Sequence, residues 1–159
     1  MFIVRMLTVL ALLCSCCAQA AEPESFPVTL RGKTLTISTE SDRATLAAQL
    51  SGALAGEEPS VLTVERIQYD FIAVQGEGPV TVLVDFDNKG RWIEIVIESS
   101  LKQQNPVAQE LVGWLAVNAG QGRKSGKVTS WKQGGLAFRF REVNNAGEDS
   151  VYGVTVSRK

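Results

Sequence analysis

Residues 80–98 have the sequence VTVLVDFDNKGRWIEIVIE, and this stretch decides the fold. Its two ends alternate in polarity, so each end predicts a strand with one buried and one solvent-facing side. The predicted buried residues are Val80, Val82, Val84, Phe86, Ile93, Ile95 and Ile97. Glu94 and Glu98 are predicted to face outward, and residues 87–90 (DNKG) are typical of a tight turn. Alternation of this kind is typical of an antiparallel sheet that is covered on one side only.

Two segments outside this hairpin have helical spacing. Leu46, Leu50 and Leu54 recur at every fourth residue and predict a helix over residues 41–54, with Thr39 or Ser41 as its N-cap. Asn105 followed by Pro106 predicts the start of a second helix, because Asn is a good N-cap and Pro is tolerated at the first helical position. Gly120 is expected to end this second helix.

The remaining regular segments are predicted strands, because they are rich in β-branched and aromatic residues that alternate with polar ones. They are residues 26–30, 34–38, 61–74, 127–132, 136–143 and 150–157. The first two flank Gly32 and predict a hairpin. Residues 61–74 are long for one strand, and we expect a bend or break near Glu65 and Arg66.

This order of elements predicts an α+β domain, in which an antiparallel β-sheet has two helices packed on one face. A helix plus three strands occurs twice along the chain, and GALA at residues 52–55 and GWLA at residues 113–116 lie alike within the two helices. Both features indicate an internal duplication. The element order is similar to that of exported inhibitor proteins built from two helix-plus-meander repeats. The two share no sequence motif, so this resemblance assigns no residue.

The N-terminal 20 residues are predicted to be a secretory signal peptide. Arg5 precedes the apolar run of residues 6–13, and small residues ending in AQA follow at positions 18–20. Residues 21–25 are then predicted to be a flexible arm, and residues 26–159 a single domain. The segment LCSC at residues 13–16 loosely resembles a bacterial lipobox, which would make Cys16 a lipidation site. The expected location is therefore periplasmic or secreted, with a membrane-anchored lipoprotein as the alternative.

The composition excludes several classes of chemistry. The chain has no histidine, and its three cysteines, Cys14, Cys16 and Cys17, all lie in the predicted signal peptide. Imidazole bases, thiolate nucleophiles and the usual ligands of zinc are therefore missing from the predicted mature chain. Removing residues 1–20 takes away one basic and no acidic residue, which leaves a net charge of about −2. We therefore expect no cofactor, no metal and no nucleic-acid partner.

Three short motifs have simpler interpretations than catalysis or ligand binding. Residues 85–90 (DFDNKG) begin like a calcium loop but lack later ligands, and a hairpin turn accounts for them. Ser99 and Lys102 match the S-x-x-K spacing of Ser-Lys acyl-transfer enzymes without the other motifs of that class. Residues 122–127 (GRKSGK) fail the spacing of a P-loop and are expected to form a basic loop, which could also dock an anionic envelope component.

The candidate binding surface consists of Trp131, Arg139 and Arg141. If Val128 and Ser130 face the core, Trp131 lies outward on the same side of the sheet as both arginines. Trp and Arg are the residues that most often anchor protein interfaces. The alternative is that Trp131 faces inward and the arginines are ordinary solvated residues. The same two alternatives apply to Trp92.

Together these observations predict an exported, non-enzymatic binding protein of a bacterial envelope. It would act through protein–protein contacts, as an inhibitor, an immunity protein or an envelope-assembly accessory protein. One alternative is a small-ligand carrier, with a pocket between sheet and helices lined by Trp114, Phe138 and Tyr152. Another is a small hydrolase that uses carboxylates or the Ser99–Lys102 pair.

Overall fold

Strands β5 (Val80–Phe86) and β6 (Trp92–Ser99) form the predicted hairpin at the centre of the chain. The structure, a computed structural model, describes residues 24–144 and 150–159. The predicted signal peptide, the lipidation candidate Cys16 and residues 21–23 of the predicted arm lie outside the described residues. Glu24 and Ser25, assigned to that arm, already belong to the fold, because β1 begins at Ser25 and the Glu24 carbonyl accepts the Thr39 N–H.

The described elements comprise ten strands, two α-helices and one turn of 3-10 helix. In chain order they are β1 (Ser25–Leu30), β2 (Lys33–Ser38), α1 (Arg43–Ala53), β3 (Val61–Leu62), β4 (Arg66–Phe71), β5, β6, the 3-10 helix (Lys102–Gln104), α2 (Pro106–Asn118), β7 (Arg123–Ser125), β8 (Val128–Gln133), β9 (Leu136–Val143) and β10 (Val151–Arg158). The fold is α+β, as the sequence predicts, and its strands form two antiparallel sheets. Within the described residues, no helix has the length and hydropathy needed to cross a bilayer.

The main sheet has eight strands in the order β3-β4-β5-β6-β10-β9-β8-β7. The two four-strand meanders therefore run in from opposite edges and join through their last strands, with Ile97 opposite Val154. This symmetric order agrees with the expected duplication, but each unit has four strands instead of three. One extra strand comes from the break after Leu62, close to the place expected. The other, β7, was predicted as a loop, because an exposed edge strand leaves no apolar alternation in the sequence.

The hairpin β1–β2 does not join the main sheet. It lies in the second layer between the two helices, where β2 contacts α1 and β1 contacts α2. Phe26 of β1 reaches the main sheet, and its ring packs edge-on against Trp92 at 6.2 Å and Phe138 at 5.4 Å between ring centroids. The apolar face of the hairpin, Phe26, Val28, Leu30 and Ile37, is thereby fully covered. The hairpin thus fills the gap that two helices alone would leave over eight strands.

The alternating pattern correctly predicts the buried face of the sheet, with one exception in β6. Ile93 is 47% exposed, whereas Trp92 is fully buried. The register shifts between Asp85 and Phe86, so that Phe86 pairs with Trp92 and Ile93 is left between two pairs. A β-bulge of this kind reverses the side on which the residues before it lie. The prediction that Ile93 faces inward was therefore wrong.

Local signals correctly predict both helices, with a small change at the start of α1. Asp42, not Thr39 or Ser41, caps this helix, and its carboxylate accepts the Thr45 N–H at 2.8 Å. Ser41 instead stabilises the preceding turn by accepting the Ser38 N–H. In α2 the prediction holds in full, since Asn105 is the N-cap and Pro106 the first helical residue.

Candidate binding surface

One side of the eight-stranded sheet has no helix on it within residues 24–144 and 150–159, and we call this side the outer face. Both helices and the hairpin pack on the other side, which we call the inner face. Strand pairing places one row of residues across the middle of the outer face. In strand order the row is Ser130, Arg139, Thr155, Val96, Leu83 and Gln68. All are at least partly exposed, whereas the neighbouring row on the inner face is largely buried.

Trp131 lies on the inner face, so the stated alternative is correct and Trp131 does not belong to a surface with the two arginines. It pairs with Phe138, which is fully buried, while Arg139 pairs with Ser130. The indole N–H donates to the Gly120 carbonyl at 2.9 Å, and Gly122 passes so close to the ring that an added Cβ would lie 2.5 Å from it. The short strand β7 brings Gly120 and Gly122 over the ring. The sequence pattern missed β7 and left both orientations of β8 open.

Trp92 is likewise an interior residue. It is fully buried, and its indole N–H donates to the Ser38 carbonyl at 2.8 Å, which ties β6 to the second layer. The rings proposed to line a ligand pocket are packed against other rings. Phe138 contacts Phe26 and Trp114, and Tyr152 packs edge-on against Phe140 at 5.0 Å between centroids. The interior at these residues is therefore filled by side chains.

Arg139 and Arg141 are exposed on the outer face and lie two residues apart on β9. They border a depression of about 460 Å³, which is lined by Glu94, Ser125, Val128, Arg139, Arg141 and Thr155. In the described part of the chain, neither arginine makes an ion pair or a side-chain hydrogen bond. Gly153 lies directly opposite Arg141 and adds no side chain beside it. As far as the described residues are concerned, both guanidinium groups are therefore available to a group from outside.

The first meander carries a second depression of about 460 Å³, whose lining residue Asp85 pairs with Glu94 of the first depression. It is lined by Val61, Thr63, Glu65, Arg66, Asp85, Phe86 and Ile93. Here an arginine and a carboxylate are paired with each other, because Arg66 Nε donates to Asp85 Oδ1 at 2.7 Å and its second nitrogen donates to Oδ2 at 2.9 Å. This hydrogen-bonded ion pair raises the pKa of Arg66. The exposed side chain of Ile93, turned outward by the bulge, forms part of the apolar lining of this depression together with Val61.

The two halves of the outer face have opposite charge. Residues 61–98 carry seven acidic and three basic side chains, whereas residues 123–143 carry six basic and one acidic side chain. Asp70 is an acidic residue of the first half whose charged form the fold stabilises. Burial tends to raise the pKa of this carboxyl, but hydrogen bonds from Ser60, Thr81 and Gln68 outweigh it and lower the pKa. A near-neutral chain thus presents a surface with a marked charge gradient.

The three motifs considered in the sequence have structural roles. Asp87 caps the β5–β6 turn by accepting the N–H groups of Lys89 and Arg91, and no cluster of potential metal ligands occurs in the described residues. The Ser99 hydroxyl donates to the Leu101 carbonyl at 2.8 Å, while Lys102 lies exposed in the 3-10 helix. Residues 122–127 form β7 and the start of its hairpin turn to β8.

Several residues of this surface were not singled out in the sequence, namely Leu83, Glu94, Val96, Ser125, Val128 and Thr155. A usable signal was present for three of them. Leu83, Val96 and Thr155 are apolar or β-branched at the solvent-facing positions of half-buried strands, where polar residues are the rule. The depression itself could not be predicted, because it brings together β6 to β10 across a pairing that joins distant segments.

Comparison with known proteins found no relative of this chain. No family model, no curated protein sequence and no solved structure matches it. The geometry and electrostatics of the outer face are therefore the basis for the functional proposal.

Proposed function

We propose that this chain is an exported, non-enzymatic binding protein that holds a second protein on the outer face of its eight-stranded sheet. The predicted signal peptide supports export to the periplasm of a bacterium, where the chain would act as an inhibitor, an immunity protein or an assembly accessory protein. Anchoring to a membrane follows only if Cys16 is lipidated. The observation that carries the proposal is the open outer face, where two arginines without an ion-pair partner among the described residues lie beside a depression.

The composition of the outer face fits a protein interface. Its middle row combines the aliphatic side chains of Leu83 and Val96 with the partly exposed Thr155, and charged residues surround this row. An apolar centre with a polar rim and arginine at the contact is the usual anatomy of protein interfaces. The sheet itself is rigid, because its inner face is packed against two helices and a hairpin. A rigid surface loses little conformational entropy on binding.

Site-specific photo-cross-linking tests this proposal. A photoreactive amino acid would be placed at Leu83 or Thr155, one in each half of the outer face, and at Val117 as a matched control. Val117 is 85% exposed on α2 and lies away from the outer face. We expect the first two positions to yield an adduct with one envelope or secreted protein in near-stoichiometric amount, and Val117 to yield none.

The same preparation tests export, since mass spectrometry of the purified chain gives its N-terminus. Cleavage before Ala21 or a lipidated Cys16 would support the predicted leader, and an intact Met1 would contradict it. A correctly exported chain whose outer-face positions give no protein adduct, or the same adducts as Val117, would refute binding at this surface.

A further inference from the structure

We infer that the depression at Arg139 and Arg141 is a clamp for a carboxylate side chain, an Asp or Glu of the partner protein. The partner would present this acidic residue to the second half of the outer face and basic residues to the first half. This inference rests on the proposed function and adds the chemistry of the partner to it.

The spacing of the two arginines suits a single carboxylate. Residues two apart on a strand project from the same side, roughly 7 Å apart along the strand. An arginine has a planar set of donors that matches the two oxygens of a carboxylate, and it binds them in a bidentate manner. Long side chains at this separation can converge on one anionic group between them. The described residues provide no such group, because the one acidic residue in the depression, Glu94, forms no ion pair with either arginine.

The walls of the depression favour a side chain over a free anion. Val128 lies opposite Arg141 and Thr155 lies opposite Arg139, so a partly exposed β-branched side chain stands beside each arginine in the wall of the depression. Gly153, which lies opposite Arg141 on β10, contributes no side chain to the depression. The stem of an inserted Asp or Glu would contact Val128 and Thr155 while its carboxylate meets the arginines. Partial burial against these walls strengthens a charge-assisted hydrogen bond relative to one in open water.

The charge gradient across the outer face selects a protein over a uniformly anionic partner. An anionic membrane or polysaccharide broad enough to cover the sheet would attract Arg139 and Arg141 but would also meet Glu94 and Glu98. Like charges brought together at an interface oppose binding, and complementary patches favour one orientation. A folded protein can carry both signs in the matching order, which a uniformly charged surface cannot.

The test compares adduct yields for three forms of the full-length chain, each with the photoreactive group at Thr155 or at Leu83. The forms are the wild type, the double variant Arg139→Glu/Arg141→Glu and the control Lys89→Glu, which reverses an exposed charge in the β5–β6 turn. We expect the double variant to lower the Thr155 adduct at least 10-fold, since loss of one charged contact corresponds to about a factor of 10 in affinity. Lys89→Glu should leave the yield within about two-fold. Because both arginines are exposed, the variants should fold, which tryptophan fluorescence would verify.

The chemistry of the adduct gives the second readout. We expect the partner peptide cross-linked at Thr155 to contain an Asp or Glu, and its replacement by Lys to restore the yield with the Arg139→Glu/Arg141→Glu variant. The inference is overturned if charge reversal leaves the Thr155 adduct unchanged or if the cross-linked segment contains no acidic residue. It is also overturned if the arginines instead confer binding to vesicles of phosphatidylethanolamine with one-quarter phosphatidylglycerol. If a protein adduct persists at Leu83 in these cases, the carboxylate clamp is refuted but the proposed function still stands. If the wild type gives no adduct at either position, the proposed function itself is refuted.

Discussion

Replacing Asn105 by alanine should destabilise the protein more than any other single helix-cap substitution in the described residues. The side chain is fully buried and makes two hydrogen bonds. Its oxygen accepts the N–H of Ala108 at 2.9 Å and so caps α2, and its nitrogen donates to the carbonyl of Tyr152 at 3.2 Å. One residue therefore starts the second helix and ties it to β10, the strand that joins the two halves of the sheet.

The magnitude follows from these two contacts. Loss of an N-cap costs about 0.5–2 kcal/mol, and the upper end applies here, because Ala108 is fully buried and water cannot replace the lost acceptor. Loss of the second hydrogen bond adds about 1 kcal/mol. We therefore expect Asn105→Ala to lower the free energy of unfolding by about 3 kcal/mol, which corresponds to a fall in Tm of roughly 10 °C for a domain of this size.

Urea unfolding followed by tryptophan fluorescence measures this loss, since Trp92 and Trp131 are buried in the native state. Asp42→Ala is the matched control. It removes the same kind of cap from α1, but at an exposed position where water can replace the carboxylate, so its effect should be clearly smaller. Asn105→Ser should recover about 1 kcal/mol, because serine keeps a capping oxygen. If Asn105→Ala cost no more than Asp42→Ala, the assignment of this energy to a buried cap would be wrong.

Two further predictions concern pH and the central strand pair. Because the chain has no histidine, we expect constant stability between about pH 5 and 8. Hydrogen bonds lower the pKa values of Asp70 and Asp87, so the stability that these carboxylates contribute is complete above the ordinary value of 3.8 and is lost as the pH falls below it. Between pH 7 and pH 3, the urea midpoint should therefore fall less in Asp70→Asn than in the wild type. An equal fall in both would contradict the assignment of this stability to Asp70. Gly153→Ala would place a Cβ 2.6 Å from the Ile97 carbonyl oxygen and should cost about 1–3 kcal/mol in the same assay. Gly113→Ala, in α2 with open space around it, should instead stabilise by up to about 1 kcal/mol, and similar effects of the two substitutions would argue against close packing of β6 on β10.

The surface was only partly predictable from the sequence. Alternation in β9 placed Arg139 and Arg141 on the side opposite Phe138, because a strand's own periodicity decides which residues share a face. The side on which Trp131 lies depended on β8, whose residues 128–131 (VTSW) give no clear alternation. The contacts that cover its ring come from Gly120 and Gly122, which precede the strand. Trp131 therefore lies on the opposite face of the sheet from Arg139 and Arg141.

The sequence by itself determined the α+β class, most strand faces and the start of α2, because each depends on residues that are close together in the chain. Side-chain alternation, an Asn-Pro helix start and glycine turns all act locally. Only the tertiary structure decided that β6 pairs with β10, that the β1–β2 hairpin lies between the helices, and that a bulge turns Ile93 outward. These features depend on contacts between segments far apart in the chain, whose energies are spread over many apolar residues that would pack about equally well in other arrangements. The outer face, with its opposed charges, exists because that one pairing brings the two meanders side by side.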